Sequence, residues 1–267
     1  MITSTANPQI KNLVLLGKKT RARKEQGLFL AEGIKMVGEA PEHWIQKLYI
    51  SETYLMEHSR DDRFCRMDYE AVSDSVMKSI SGTQTPQGIL AAVSIPSWDF
   101  QTVSGQTNGC FLFVESIQDP GNLGTILRSS EAAGITAVIA NDTTVDLYNP
   151  KTVRSTMGSI YRMPFFSFKE WKKNIQRMKS NGMKLYAAHL TAETLYDEPD
   201  YTKSCGFLIG NEANGLTDET ASLADSYIKI PMEGKAESLN AAAASAVLMY
   251  EANRQRRRQS CFDCGQK

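Results

Sequence analysis

Four short stretches place polar, ligand-binding side chains directly after runs of apolar residues. "ESIQDPGNLGTILRSSEAAG" carries Asn122 and Arg128, and "HLTAET" contains Leu190. "GNEANGL" holds Glu212 among carboxamides framed by Gly210 and Gly215, and "PMEGKAESLNAAAAS" brings Met232, Ser238, Leu239 and Asn240. A guanidinium, a carboxylate and carboxamides together can grip an anion and orient a hydroxyl by hydrogen bonds. They supply neither a metal cage nor an obvious nucleophile. His43, His58 and His189 are too dispersed for a metal site, and Cys261-x-x-Cys264 is a solitary pair without a second one. No G-x-G-x-x-G or G-x-x-x-x-G-K-S/T follows a strand pattern, so dinucleotide and P-loop phosphate chemistry lack their fingerprints.

Each stretch also has a plain structural reading. Asn122 follows Pro120-Gly121, where a helix N-cap stands. A lone helical arginine such as Arg128 is ordinarily a solvated side chain, and Glu212 can be a capping carboxylate beside glycines with unusual dihedrals. The run Ala241 to Ala244 fits both the best helix former and a close approach by a backbone or flat ligand.

These residues need a scaffold, and the pattern around them supplies one. Cys110 to Val114 is a continuous apolar run. A helix from about Leu123 to Ala133, stopped by Gly134, leads from it to a second run, Ala137 to Ala140. Strand, helix, strand predicts a parallel sheet, with further strands at Lys184–Ala188, Phe207–Ile209 and Tyr227–Ile230 and a last helix over about Ser238 to Arg257. In such sheets ligands sit beyond the carboxyl ends of the strands, where the four stretches lie. The first ~95 residues read as a smaller α/β unit, and "IPSWDFQTVSGQTNG" reads as linker. The expected organisation is therefore 1–97 as one domain, 98–108 as linker, 109–258 as the parallel-sheet domain and 259–267 as a tail.

Composition narrows the class. With 42% hydrophobic and 22% charged residues among 267, the chain is an ordinary globular protein. It shows neither a membrane-length apolar run nor a signal-peptide block, which predicts a cytoplasmic location. Five scattered cysteines predict reduced thiols rather than a disulfide framework. Thirty basic residues balance thirty acidic ones, yet two clusters stand out. Lys18, Lys19, Arg21, Arg23 and Lys24 form one, and "RQRRR" from Arg254 to Arg258 forms the other. Either can carry phosphate contacts or be the solvated face of a helix.

Taken together, the stretches resemble the SpoU family of RNA ribose 2′-O-methyltransferases, within the knotted methyltransferase class. Its first motif is similar to Asn122-x-Gly124-x-x-x-Arg128, its second to Gly210-Asn211-Glu212-x-x-Gly215-Leu216, and its third to Ile230-Pro231-Met232-x-Gly234 with Ser238-Leu239-Asn240. "RSTMGSIYRMPF" resembles the segment between the first two motifs, and "FLAEGIKMVGEA" with "TPQGILAAV" resembles the small substrate-binding domain of many members. One departure is Ala242, where many members carry a serine.

The resemblance implies a small N-terminal α/β RNA-binding domain and a C-terminal parallel-sheet domain with a trefoil knot. S-adenosylmethionine would be held by Leu190, Gly210, Ile230, Met232 and Leu239, and a Cβ at position 210 would block it. No metal is implied, and two copies would pair through the C-terminal domain. Arg128, Asn122, Glu212, Ser238 and Asn240 would serve catalysis, with Glu212 helping to organise Arg128, and the Lys18 to Lys24 cluster would grip RNA. The family assigns the base role to the first-motif arginine. Arginines stay protonated below about pH 12, so a guanidinium that grips phosphate and stabilises an alkoxide is the less demanding role. The expected substrate is ribosomal RNA. The rivals are transfer RNA and a catalytically silent RNA-binding assembly module, while an oxidoreductase lacks its glycine fingerprint.

Overall fold

Three helices begin with the same device, an Asx residue followed by proline. Asn7, Asp119 and Asn149 are N-caps whose side chains accept backbone N–H bonds, with Pro8, Pro120 and Pro150 behind them. Proline there lacks only an N–H that would have no helical partner. The computed structural model describes residues 1–58 and 62–264, with side chains described to residue 259. The Cys261 and Cys264 thiols lie outside the described side chains, and 265–267 outside the described residues.

The first part of the chain contains α1 (Pro8–Lys18), α2 (Thr20–Gln26), β1 (Leu28–Glu32), α3 (Ile34–Glu39), β2 (Ile45–Ser51), α4 (Glu52–Glu57), β3 (Tyr69–Val72), α5 (Asp74–Ile80) and β4 (Ile89–Ser94). There follow α6 (Phe100–Ser104), β5 (Cys110–Val114), α7 (Pro120–Ala133), β6 (Ala137–Asn141), α8 (Pro150–Thr156), β7 (Phe165–Phe168) and α9 (Trp171–Ser180). The chain continues with β8 (Lys184–Ala188), β9 (Thr194–Leu195), β10 (Cys205–Ile209), α10 (Asp218–Ala221), β11 (Ser226–Lys229) and α11 (Ala241–Cys264).

Two compact units result: Met1–Ser97 with Asp146–Tyr161, and Trp98–Val145 with Arg162–Lys267. In the first unit, β4 pairs antiparallel with β1 and β2, and β3 joins β2 in parallel. Ile10, Leu13 and Leu16 of α1 pack on Leu30 and Leu90. The segment carrying α8 joins this unit through Tyr148, whose ring centroid lies 5.2 Å from that of Phe29. The Tyr161 hydroxyl donates to the Met36 carbonyl at 2.9 Å.

Arg23 corrects the reading of the first basic cluster. Lys18, Lys19, Arg21 and Lys24 are exposed, but Arg23 is 2% exposed. Its guanidinium donates to the Asp146 carboxylate at 2.6 and 3.0 Å and to the Leu16 carbonyl at 2.6 Å. A charge run in sequence looks uniform, whereas the phase of α2 turns Ala22 and Arg23 inward. Arg23 thus holds the first unit together instead of facing an RNA strand. Arg23→Ala is expected to lower stability by about 3–5 kcal/mol, because it leaves Asp146 uncompensated. Lys24→Ala should stay within about 0.5 kcal/mol. Urea denaturation midpoints compare the two directly.

The second unit is a seven-stranded sheet in the order β7-β6-β5-β10-β8-β11-β9, with every pair parallel. β5, β6 and β10 are buried at every residue, which is why they read as unbroken apolar runs. The expected linker 98–108 contains α6, whose Phe100 packs edge-on against Phe166 and Phe168. The helix α11 packs directly on α7: the Ser130 hydroxyl donates to the Met249 thioether, and the Asn253 amide caps the Ala133 carbonyl at 3.1 Å. Ala241 and Ala242 are buried at the start of α11, so the small residues there serve close packing.

The second basic cluster is also partly structural. Arg256 donates to the carbonyls of Asn108, Tyr201 and Lys203 at 2.7, 2.9 and 2.7 Å. Arg254 donates twice to Glu251, and those bonds, with a lesser one from Gln255, hold the Glu251 carboxyl below its ordinary value. No helix among the described residues is long and apolar enough to cross a membrane.

Candidate active site

The carboxyl ends of β5, β10, β8 and β11 lie side by side in the sheet, and the loops leaving them carry the residues singled out in the sequence. Asp119, not Asn122, is the N-cap of α7, accepting the Asn122 backbone N–H at 2.8 Å. That corrects the capping reading and releases the Asn122 side chain for other work.

Asn122 uses both ends of its amide. Its Nδ2 donates to Glu212 Oε1, and its Oδ1 accepts from Asn240 Nδ2 at 3.0 Å. Asn240 in turn caps α11: its Oδ1 accepts from the backbone of Ala242 at 2.9 Å and of Ala243 at 3.3 Å. The direction of the whole relay follows from the helix end. N–H groups can only donate, so Asn240 turns its oxygen to the helix and its NH₂ to Asn122, which leaves the Asn122 NH₂ for the carboxylate. The first turn of α7 is thus joined to residues 90 and 118 positions further along the chain through two side-chain hydrogen bonds.

Arg128 stands apart from this relay. It is exposed on α7, six residues beyond Asn122 and so about 9 Å along the helix axis. Among the described residues its guanidinium has no hydrogen bond or ion pair, and neither has the exposed Ser238 a hydrogen bond. Glu212 therefore organises Asn122 rather than Arg128, which corrects the expected pairing. Arg128 is left as an unspent cation at the site.

The loop bearing Glu212 is pinned by residues that sequence reasoning passed over. Asn211 Nδ2 donates to the Ser116 carbonyl at 2.8 Å, and its Oδ1 accepts from Ala213 and Asn214 N–H groups. Glu115, 4% exposed, accepts from the Thr217 N–H at 2.8 Å and from the hydroxyls of Thr217 and Thr220. A carboxylate at the end of a fully buried strand was the available signal, since such groups are seldom buried unless bonded.

Gly210 has a different reason for being glycine than the one expected. A Cβ there would lie 2.1 Å from the Gly215 carbonyl carbon and 2.3 Å from both Gly215 O and Leu216 N. The loop backbone closing on itself, not a ligand, fills that space.

Gly210, Leu190 and Ile230 follow β10, β8 and β11, three neighbouring strands. Leu190 and Leu239 are large apolar side chains with 68% and 37% of their surface exposed. Exposed apolar side chains at the carboxyl edge of a parallel sheet suit the cover of a flat, partly apolar ligand such as an adenine ring. Met232 and Ile230 are half-buried in the same edge.

Comparison with known proteins identifies the family. The SpoU rRNA Methylase family matches residues 109–250, and the MRM3-like substrate binding domain matches residues 7–91. A 23S rRNA (guanosine(2553)-2′-O)-methyltransferase of Bacillus subtilis is 32% identical over 93% of this chain and 97% of its own length. A 23S rRNA (uridine(2479)-2′-O)-methyltransferase of Streptomyces viridochromogenes is 30% identical over 91% of this chain and 88% of its own. The crystal structure of an AdoMet-bound rRNA methyltransferase from Sinorhizobium meliloti superposes with a TM-score of 0.82 at 29% identity, covering 95% of this chain and 97% of that one.

Proposed function

The chain belongs to the SpoU rRNA methylase family, and from that premise we propose that it transfers a methyl group from S-adenosylmethionine to a ribose 2′-hydroxyl of 23S ribosomal RNA. The observation that carries this reading is the meeting of Asn122, Glu212 and Asn240, with Arg128 exposed further along α7 and without a partner among the described residues. Leu190, Gly210, Ile230, Met232 and Leu239 would hold the cofactor, which supplies an electrophilic methyl group on a sulfonium sulfur. The rest of the work falls to the protein.

A neutral hydroxyl attacks poorly, so the site must fix its oxygen near attack distance and stabilise the charge that grows on it. The Asn240–Asn122–Glu212 relay makes one rigid wall from three loops. Arg128, with five donors and no partner among the described residues, grips the neighbouring phosphate and faces the developing alkoxide, while the proton leaves to that phosphate or to water. Ser238 sits two residues before Asn240 and contacts RNA from the same loop. The exposed Lys18, Lys19, Arg21 and Lys24 grip RNA backbone from the N-terminal unit.

Residues 1–97 would then be the RNA-binding domain and 109–258 the transferase, apart from the segment 146–161 that packs with the first unit. Insertion of β10 between β5 and β8 supports a knotted path in the latter. Two copies pair through this domain, and the protein works in the cytoplasm.

Mass-spectrometric mapping of ribose methylation, in ribosomal and transfer RNA from cells with and without the gene, tests the reading. One 2′-O-methyl mark lost from 23S RNA is expected. A mark lost from transfer RNA instead would change the substrate, and no loss in either pool would favour a silent assembly module.

A further inference from the structure

We propose that the N-terminal unit contains a phosphate-anchoring pocket for the RNA strand, built around Arg154 with Lys18. This rests on the RNA-methylating reading above. The pocket encloses about 270 Å³, with Leu30 and Leu90 among its apolar walls.

Its central observation is an incompletely paired guanidinium. Arg154 Nη1 is buried and, among the described residues, has no hydrogen-bond acceptor. The nearest anion is Glu32 Oε2 at 3.6 Å, an ion-pair distance but too long for a hydrogen bond. Glu32 cannot swing closer cheaply. Its carboxylate already accepts from the Ser81 hydroxyl, from Thr83 Oγ1 at 2.6 Å and from the Gly82 N–H at 2.8 Å. Glu32 thus fixes the guanidinium without saturating it, and an unmade bond on a buried charged donor is costly.

Gly82 shows that the space is kept for the arginine. A Cβ at that position would stand 2.6 Å from Nη1. Arg154 and Lys18 line the pocket together with one carboxylate, Glu32, and its apolar walls strengthen any charge-assisted bond made inside. Lys18 is both a lining residue and the first member of the exposed basic cluster, so a polyanion tracked along that cluster is led to the pocket. An arginine fork backed by an ammonium group suits the tetrahedral oxygens of a phosphodiester.

The test uses the full chain and a 23S ribosomal RNA transcript in filter binding across a salt series. Arg154→Gln should weaken binding about 10-fold and flatten the slope of log affinity against log salt by roughly 0.7 to 1, one phosphate contact. Gly82→Ala, which displaces the guanidinium but keeps its charge, should weaken binding comparably. Lys18→Gln should lose about 3-fold, and as an exposed change it stays informative if the other two fold poorly. S-adenosylmethionine affinity by calorimetry should hold in all three.

Arg154→Gln and Lys18→Gln binding RNA with parental affinity and salt slope would remove the pocket while leaving the methylating reading intact. A parent that binds no RNA, yet is stabilised to heat by inorganic phosphate in an Arg154-dependent way, would support an anion site and overturn the RNA reading. A parent that responds to neither would overturn both.

Discussion

Arg128→Ala is expected to slow methyl transfer by about 10²–10³-fold, the usual loss when one electrostatic stabiliser of a transition state is removed. The same change should move the melting temperature by only about 1–2 °C, as surface substitutions do. The contrast follows from where the structure puts the guanidinium. It is exposed on α7, contributes no bond to the fold among the described residues, and takes no part in the hydrogen bonds from Asn240 to Glu212. Its removal therefore leaves the three loops joined and takes away only charge. Arg128→Lys keeps the charge but loses the fork, so it should recover part of the rate. Single-turnover methylation with labelled cofactor, read beside calorimetric cofactor binding, separates the chemical step from binding. An alanine enzyme running at the parental rate would take the guanidinium out of the reaction.

The strands that lead into the candidate site were legible in the sequence because a parallel sheet writes itself into composition. Strands β5, β6 and β10 are buried at every residue, so Cys110–Val114, Ala137–Ala140 and Phe207–Ile209 stand out as apolar runs, and candidate site residues follow the first and the last of them. Other parts were harder. The short edge strand Phe165–Phe168 has mixed burial and follows Pro164, and Thr194–Leu195 pairs over only two residues. Trp171, Ile175 and Met178 bury one face of α9 at helical spacing, a pattern present in the sequence but overshadowed by its charges. That 146–161 packs with the N-terminal unit depends on Phe29 meeting Tyr148 and on Arg23 meeting Asp146, pairings of distant residues that no local pattern encodes. The same is true of Asn122. Its motif spacing marked it for function, but only the Asp119 cap explains why its side chain is available.

Gly210→Ala separates two explanations of one glycine. A methyl group that merely obstructed the cofactor would leave the ligand-free protein as stable as before. The geometry instead predicts damage without any ligand, because the clash is with backbone at 2.1 to 2.3 Å, not with the movable end of a side chain. That backbone is closed on itself, Asn211 N–H to Gly215 O at 3.0 Å and Gly215 N–H to Asn211 O at 2.8 Å, so the loop cannot yield locally. It must open, carrying Glu212 away from Asn122. Overpacking of this kind costs about 1–3 kcal/mol, which in a chain of this size lowers the melting temperature by roughly 3–10 °C. Methyl transfer should fall with it. Gly215→Ala is the matched comparison: its φ of +67° carries a backbone strain, yet nothing lies within 4 Å of the added Cβ. It should cost about 1 kcal/mol and leave most of the activity. If ligand-free Gly210→Ala melts with the parent and fails only in cofactor binding, the obstruction lies in the ligand's path and the self-closing loop is not what demands glycine there.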